Sequence, residues 1–149
     1  MFGHYVDKIL QPGEQVRYIA SLNWILYVPG AALWLVAAVI YLTAPEWVAW
    51  TVALPAFAIG LFLLARAWFY WWTTEIAVTD RRVIYKTGFI RRNTTEMNME
   101  KVESVDVDQS VLGRIFGYGD VIVRGTGSGL APIRNIDAPL ELRNHITGV

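Results

Sequence analysis

Two long uncharged stretches dominate the pattern of apolar and polar positions. No residue between Arg17 and Glu46 is charged, and Asn23 to Thr43 reads NWILYVPGAALWLVAAVIYLT. A second uncharged stretch runs from Trp47 to Ala65, and apolar character resumes after Arg66 up to Trp72. A helix of about 20 apolar residues crosses a hydrocarbon core of roughly 30 Å. Residues 23–43 and 47–72 are therefore predicted as two transmembrane helices. Only Ala44-Pro45-Glu46 separates them, which makes them antiparallel neighbours in a hairpin. The competing reading is a pair of buried core helices. It needs a globule large enough to enclose both, and 149 residues do not provide one.

Tryptophans mark the ends of these stretches: Trp24 at one, Trp47 and Trp50 at the next, and Trp68, Trp71 and Trp72 at the last. Amphipathic rings concentrate at the headgroup level. Trp34 is the exception and lies mid-span. Lys8 and Arg17 precede the hairpin, Arg66 and all later basic residues lie at or beyond the end of its second helix, and the tip carries Glu46. The positive-inside rule then places both termini in the cytoplasm and the tip outside, with Arg66 near enough to the cytoplasmic end to snorkel. Small residues let helices approach in lipid. Ala49, Ala53, Ala56 and Gly60 are spaced as such a packing face on the second helix, opposed by Gly30, Ala31 and Ala38. Pro29 and Pro55 are expected to bend their helices. No ionisable group lies deep in either stretch, so a transport pathway is not expected.

Outside the hairpin the periodicity changes. Phe2, Tyr5, Val6, Ile9 and Leu10 recur at helical spacing and stop at Pro12-Gly13, which predicts a short amphipathic helix on the membrane surface or on the domain that follows. Glu14 to Leu22 alternates weakly, as a strand would. From Thr74 the pattern has period two: Ile76 and Val78, a turn at Thr79-Asp80-Arg81-Arg82, then Val83 to Lys86. Phe89-Ile90 opens another run, Val105 and Val107 alternate with Asp106 and Asp108, and Asp120 to Arg124 is β-rich. Short strands with Gly and Asp turns predict an antiparallel meander. Two helices interrupt it. Ser110 to Phe116 is capped by Ser110 and ended by Gly117; Asp137 to Ile146 has Asp137 before its start, Pro139 in its first turn and Gly148 after its end.

Composition sharpens this picture. Hydrophobic residues make up 54% of the chain and charged residues 17%, against about 25% charged in a soluble domain. The formal net charge is zero, so the overall balance says nothing about nucleic acid or acidic substrates; no nucleic-acid partner is expected. The absence of cysteine excludes disulfides, thiolate metal sites and a cysteine nucleophile. Residues 1–22 lack the build of a secretory signal.

The stretches TEIAVTDRRVIYKTGFIRR, EKVESVDVDQSVLGRIFGYGDVIVRGTGSG and IDAPLELRNHI resemble the bacterial pleckstrin-homology-like domain of the second type. The most specific pieces are Val78 to Ile84 and Leu112 to Gly119, and Leu10-Gln-Pro-Gly-Glu is similar to the segment that leads into that family's hairpin. The resemblance covers essentially the whole chain. It implies a seven-stranded bent β-sandwich with a C-terminal helix across one end, to which Glu14 to Leu22 supplies a strand. It also implies binding of lipids, peptides or proteins, with basic residues near the first hairpin as the headgroup contact of phosphoinositide-binding relatives.

The expected fold is thus an α+β membrane protein. Residues 1–22 form a cytoplasmic amphipathic segment, 23–72 the transmembrane hairpin, and 73–149 a cytoplasmic PH-like domain of antiparallel strands with a C-terminal helix, in a bacterial inner membrane. Arg81, Arg82, Lys86, Arg91 and Arg92 are the candidate lipid-headgroup residues, against the plainer reading that they report topology alone. Gly30, Ala49, Ala53, Ala56 and Gly60 are the candidate packing face. Glu96, Glu100, Glu103, Asp106 and Asp108 read as a solvated strand face rather than a metal site. Gly125-Thr126-Gly127-Ser128-Gly129 precedes Leu130 to Ile133, which looks like a strand, so it reads as a hairpin loop rather than a phosphate loop. His4 and His145 have no nucleophile or carboxylate constellation. No enzyme activity, cofactor or metal is expected. The expected partners are membrane lipids and a membrane protein or a second copy of the chain.

Overall fold

A computed structural model describes residues 6–88, 93–127 and 132–148. The chain divides into two compact units, one of residues 24–72 and one formed by the segments before and after it.

The first unit is a helical hairpin. A 3₁₀ turn at Trp24–Tyr27 leads into helix α2, Val28–Thr43. After the turn at Ala44-Pro45 the chain forms α3 (Glu46–Val48), a π-helical segment (Ala49–Ala53) and α4 (Leu54–Thr73). Continuous helix spans Trp24–Thr43 and Glu46–Thr73, 20 and 28 residues, whose most apolar 18-residue windows have mean hydropathies of 2.1 and 2.2. Both are long and apolar enough to cross a membrane. Pro29 sits in the first turn of α2, where its missing N–H costs nothing. Pro55 stands two residues after the π segment, so the widened turn lies where its ring would otherwise meet a helical carbonyl.

The two helices approach at glycines. A Cβ on Gly60 would lie 2.7 Å from Trp34 Cδ1 and 3.3 Å from the Gly30 carbonyl oxygen, and one on Gly30 would lie 2.8 Å from Leu64 Cγ. Ala49 and Ala53 are buried and Ala56 half-buried. On α2 the buried small residues are Gly30 and Ala37, seven positions apart and so two turns along one face. Ala31, expected beside Gly30 on this face, is exposed, and Ala38 is half-buried. Trp34 donates its Nε1–H to the Phe57 carbonyl at 3.3 Å and sets its ring edge-on to Phe57. A mid-helix indole N–H is thereby satisfied on the neighbouring helix.

Among its described residues the second unit contains seven strands. β1 (Val16–Ala20), β2 (Glu75–Thr79), β3 (Arg82–Thr87) and β4 (Asn93–Asn98) form one antiparallel sheet in that order. A 3₁₀ turn, Met99–Lys101, leads to β5 (Val102–Asp108), which with β6 (Tyr118–Gly125) and β7 (Ile133–Asp137) forms the second sheet. Leu22 bridges Ile136, joining the edges of the two sheets. β1 precedes the apolar helices and β2 follows them, yet the two strands pair from Val16↔Thr79 to Ala20↔Ile76.

β2 and β3 are buried on both faces rather than on alternate residues. The cause is α1 (Val6–Ile9), whose Val6 packs on Ala77 and Ile84, with Ile9, Leu10 and Val16 around them. Phe2 and Tyr5, expected in the same helix, lie outside the described residues. Ile76, Val78, Val83, Val121, Val123, Ile133 and Ile136 are fully buried, and helix α6 (Pro139–Thr147) packs across β1, β2, β5 and β6 with Leu142 and Ile146 inward. The expected cap of α6 is corrected: Asp137 ends β7, and Ala138, at φ 48°, stands at the N-cap position with no side-chain cap. The run expected to open at Phe89-Ile90 lies outside the described residues, as do Leu130 and Ala131.

Candidate interaction site

The basic residues of the β2–β3 hairpin have divergent surroundings. Glu14 follows the Pro12-Gly13 turn, and its side chain is buried without exposure. Arg82 reaches it with two hydrogen bonds, Nε to Oε1 at 2.9 Å and Nη2 to Oε2 at 2.8 Å. Arg82 Nη1 donates to Glu96 Oε2 at 2.8 Å, and Nη2 also to the Ile9 carbonyl that ends α1. Thr79 Oγ1 and the Gln11 N–H complete the shell around Glu14. Burial alone would raise the Glu14 pKa, but the hydrogen bonds from Arg82, Gln11 and Thr79 and the Arg82 charge outweigh it, and the carboxyl falls to about 2. Arg82 is raised in turn by its bond to Glu14. This guanidinium clamps α1, the Gly13 turn, β3 and β4 together. Lys86 pairs with Glu75 at 3.1 Å, both side chains mostly covered. Arg81 is exposed beside Asp80. Arg91 and Arg92 lie outside the described residues.

The acidic run is similarly divided. Glu96 belongs to the Arg82 cluster. Asp106 pairs with Arg124 at 2.8 Å where both side chains are more than half exposed, an arrangement worth little to stability. Glu100, Glu103 and Asp108 are exposed. Among the described residues no group of acidic and imidazole side chains has the arrangement of a metal site. His145 stacks on Tyr18 with ring centroids 4.4 Å apart and shares its Nδ1 with the Glu141 carbonyl at 2.9 Å. His4 lies outside the described residues, as does Ser128 of the glycine-rich connection between β6 and β7.

At the far end of β5 the chain forms helix α5, Val111–Phe116. Ser110 Oγ accepts the Gly113 N–H at 3.0 Å and Gly117 closes the helix at φ 72°. A Cβ on Gly113 would stand 2.6 Å from the Tyr118 carbonyl oxygen, so the helix backbone is pressed onto the start of β6. Ser110→Ala should therefore loosen α5 by about 1 kcal/mol, read as faster hydrogen exchange of the Gly113 amide with no change in β2 or β3. Between α5 and the start of α6 lies a groove of about 540 Å³ lined by Gln109, Arg114, Gly117, Pro139, Leu140 and Glu141. It adjoins the end of β5, a strand that among the described residues pairs with β6 alone.

A family model for the bacterial PH domain matches residues 18–148, from β1 through both apolar helices to the end of α6. The chain belongs to that family. No curated protein and no solved structure gives a significant match. Bacterial PH domains are an interaction-module type rather than a catalytic one, and domains of this kind bind lipids or proteins. In this PH domain the structure brings Arg82 together with Glu14, a partner that sequence reasoning missed. The available signal was the Leu10 to Glu14 lead-in. It also missed the outward apolar side of α5, visible as the Val111-Leu112 and Ile115-Phe116 pairs four positions apart.

Proposed function

We propose that this chain is a non-enzymatic, membrane-anchored PH module that engages a protein partner at the cytoplasmic face of a bacterial inner membrane, as a scaffold, accessory subunit or assembly factor. The observation that carries the anchoring is the coverage of the two apolar helices: 11% and 17% of their most apolar windows are buried. A core helix of a soluble protein is mostly covered by its own chain. These helices leave Leu35, Leu42, Trp47, Leu61 and Phe62 outward, a surface suited to lipid. The basic residues on either side of the hairpin and Glu46 at its tip favour cytoplasmic termini. Gly30, Ala49, Ala53, Ala56 and Gly60 would then form the packing face of a two-span anchor at residues 23–72, with residues 1–22 and 73–149 on the cytoplasmic side.

The protein-partner reading is supported by the open edge of β5 and the groove beside it. An extended segment can add to such an edge, and the exposed Asp106 and Asp108 favour a basic one. Headgroup binding by the first hairpin has less support, because Arg82 and Lys86 are held by carboxylates and Arg81 sits beside Asp80. Extraction of the intact protein in a mild detergent should yield a defined oligomer or a stoichiometric complex. Asp106→Lys with Asp108→Lys should cut that association several-fold while leaving the protein folded. A lone monomer would count against the reading, and loss of binding to anionic vesicles on Arg81→Glu would favour headgroup recognition instead.

A further inference from the structure

Helix α5 turns its apolar side chains away from its own domain. Val111 is 75% exposed, Ile115 70%, Leu112 58% and Phe116 44%. Elsewhere in the strand-bearing unit, among the described residues, the large apolar side chains this exposed are Ile19 and Leu140. At 100° per residue the four α5 side chains fall within one arc, with Gly113 on the far side against Tyr118. A soluble domain seldom concentrates such surface on one short element without a cover for it.

The chain itself indicates the cover. Asn23, the residue before the first apolar helix, is laced to the same corner of the domain. Its N–H donates to the Asn135 carbonyl at 2.7 Å, its Nδ2 to Asp137 Oδ1 at 2.7 Å, and the same Nδ2 to the Phe116 carbonyl at 3.4 Å. The Asp137 N–H donates to the Ser21 carbonyl at 2.9 Å, and the Ala138 N–H to the Gly117 carbonyl at 3.0 Å. The end of α5 is thus hydrogen-bonded to the residue from which the chain passes directly into Trp24, the first residue of an apolar span. One peptide bond separates Asn23, which holds the end of α5, from Trp24.

Resting on the membrane anchorage proposed above, we propose that α5 is a membrane-interface element: Val111, Leu112, Ile115 and Phe116 dip into the headgroup–acyl boundary of the leaflet next to the domain. Arg114 flanks this face, where a cation can meet headgroup phosphates. The PH domain would then be held to the bilayer by apolar insertion at α5 as well as by its covalent spans.

The chain has no cysteine, so single spin labels can be placed in the intact protein without a background. The test uses nanodiscs of phosphatidylethanolamine and phosphatidylglycerol and labels at Leu112→Cys, Ile115→Cys, Asp106→Cys and Phe62→Cys. Each label is read for its collision rate with oxygen relative to a water-soluble nickel chelate. The proposal expects that ratio at Leu112 and Ile115 to exceed the Asp106 ratio several-fold and to approach the Phe62 ratio. A ratio equal to that at Asp106, with Phe62 reading lipid, overturns the proposal and leaves the anchorage standing. Low collision rates with both reagents at Leu112 and Ile115 show a protein covering the helix, and also overturn it. An aqueous reading at Phe62 overturns the anchorage and this inference together.

Discussion

Arg82→Met is expected to destabilise the PH domain by about 3–5 kcal/mol, because it leaves the Glu14 carboxylate buried without its cation. The loss is not confined to one ion pair. The guanidinium also bonds Glu96 and the carbonyl that ends α1, so α1 should detach from Ala77 and Ile84. Urea melts of the intact protein in nanodiscs, followed by hydrogen exchange of the β2–β3 amides, measure it. Combining Arg82→Met with Glu14→Leu should recover much of the stability, since an apolar pair can replace a buried ionic one. An unchanged midpoint in the single variant would show that the cluster is not a clamp.

The same cluster fixes a pH dependence. Glu14 titrates near 4.5 in the unfolded chain and near 2 in the folded protein. Between those values the unfolded state binds more protons, so acid favours unfolding. The contribution is full above pH 4.5 and disappears as pH falls toward about 2. In Arg82→Met burial, which raises the Glu14 pKa, is opposed only by the hydrogen bonds from Gln11 and Thr79, so the pKa should rise and this acid dependence should shrink. Melts at neutral pH and at about pH 3 distinguish the two behaviours.

Gly60→Leu should open the helical hairpin. The added Cβ alone would meet Trp34 Cδ1 at 2.7 Å, and the Gly30 backbone lies close behind. Relief requires the helices to separate, which costs about 1–3 kcal/mol when a packed site is overfilled and breaks the Trp34–Phe57 hydrogen bond. In lipid no hydrophobic force restores that approach, because acyl chains cover the separated faces equally well. SDS titration of the intact protein in mixed micelles should show an earlier loss of helical packing in Gly60→Leu. It should show none in Phe62→Leu, whose side chain points outward. Equal midpoints for both would mean that the glycines do not hold the hairpin.

The two long apolar helices were legible because uncharged runs of this length are rare in a small chain, and α5 was legible because Ser110 and Gly117 are strong boundary signals. β4 was not, since Asn93–Asn98 reads NTTEMN and buries only Met97, so it carries no apolar alternation. The two-sided burial of β2 was hidden because the residue that covers Ala77, Val6, lies before the spans. Arg82 looked like one member of a basic cluster because Glu14 stands 68 positions away, beyond any local pattern. Asp137 looked like a cap by its spacing from Pro139, but its carboxylate accepts from Asn23 instead. Apart from β4, each failure involves a side chain whose partner is far off in sequence.

The pairing of β1 with β2 across the hairpin has a consequence for biosynthesis. β1 leaves the ribosome before either apolar helix, and the strand that pairs with it emerges after both. Gln15 and Asp80, which tie the outer end of that pair, are 65 positions apart. Closing so long a segment as free coil is entropically costly and slow, whereas a hairpin already inserted brings its two ends back to the same side of the bilayer. With the hairpin inserted as proposed, the PH domain completes its first sheet only after the hairpin tip has crossed the bilayer. A copy whose hairpin fails to insert keeps β1 unpaired, an exposed edge that quality-control proteases and chaperones can recognise.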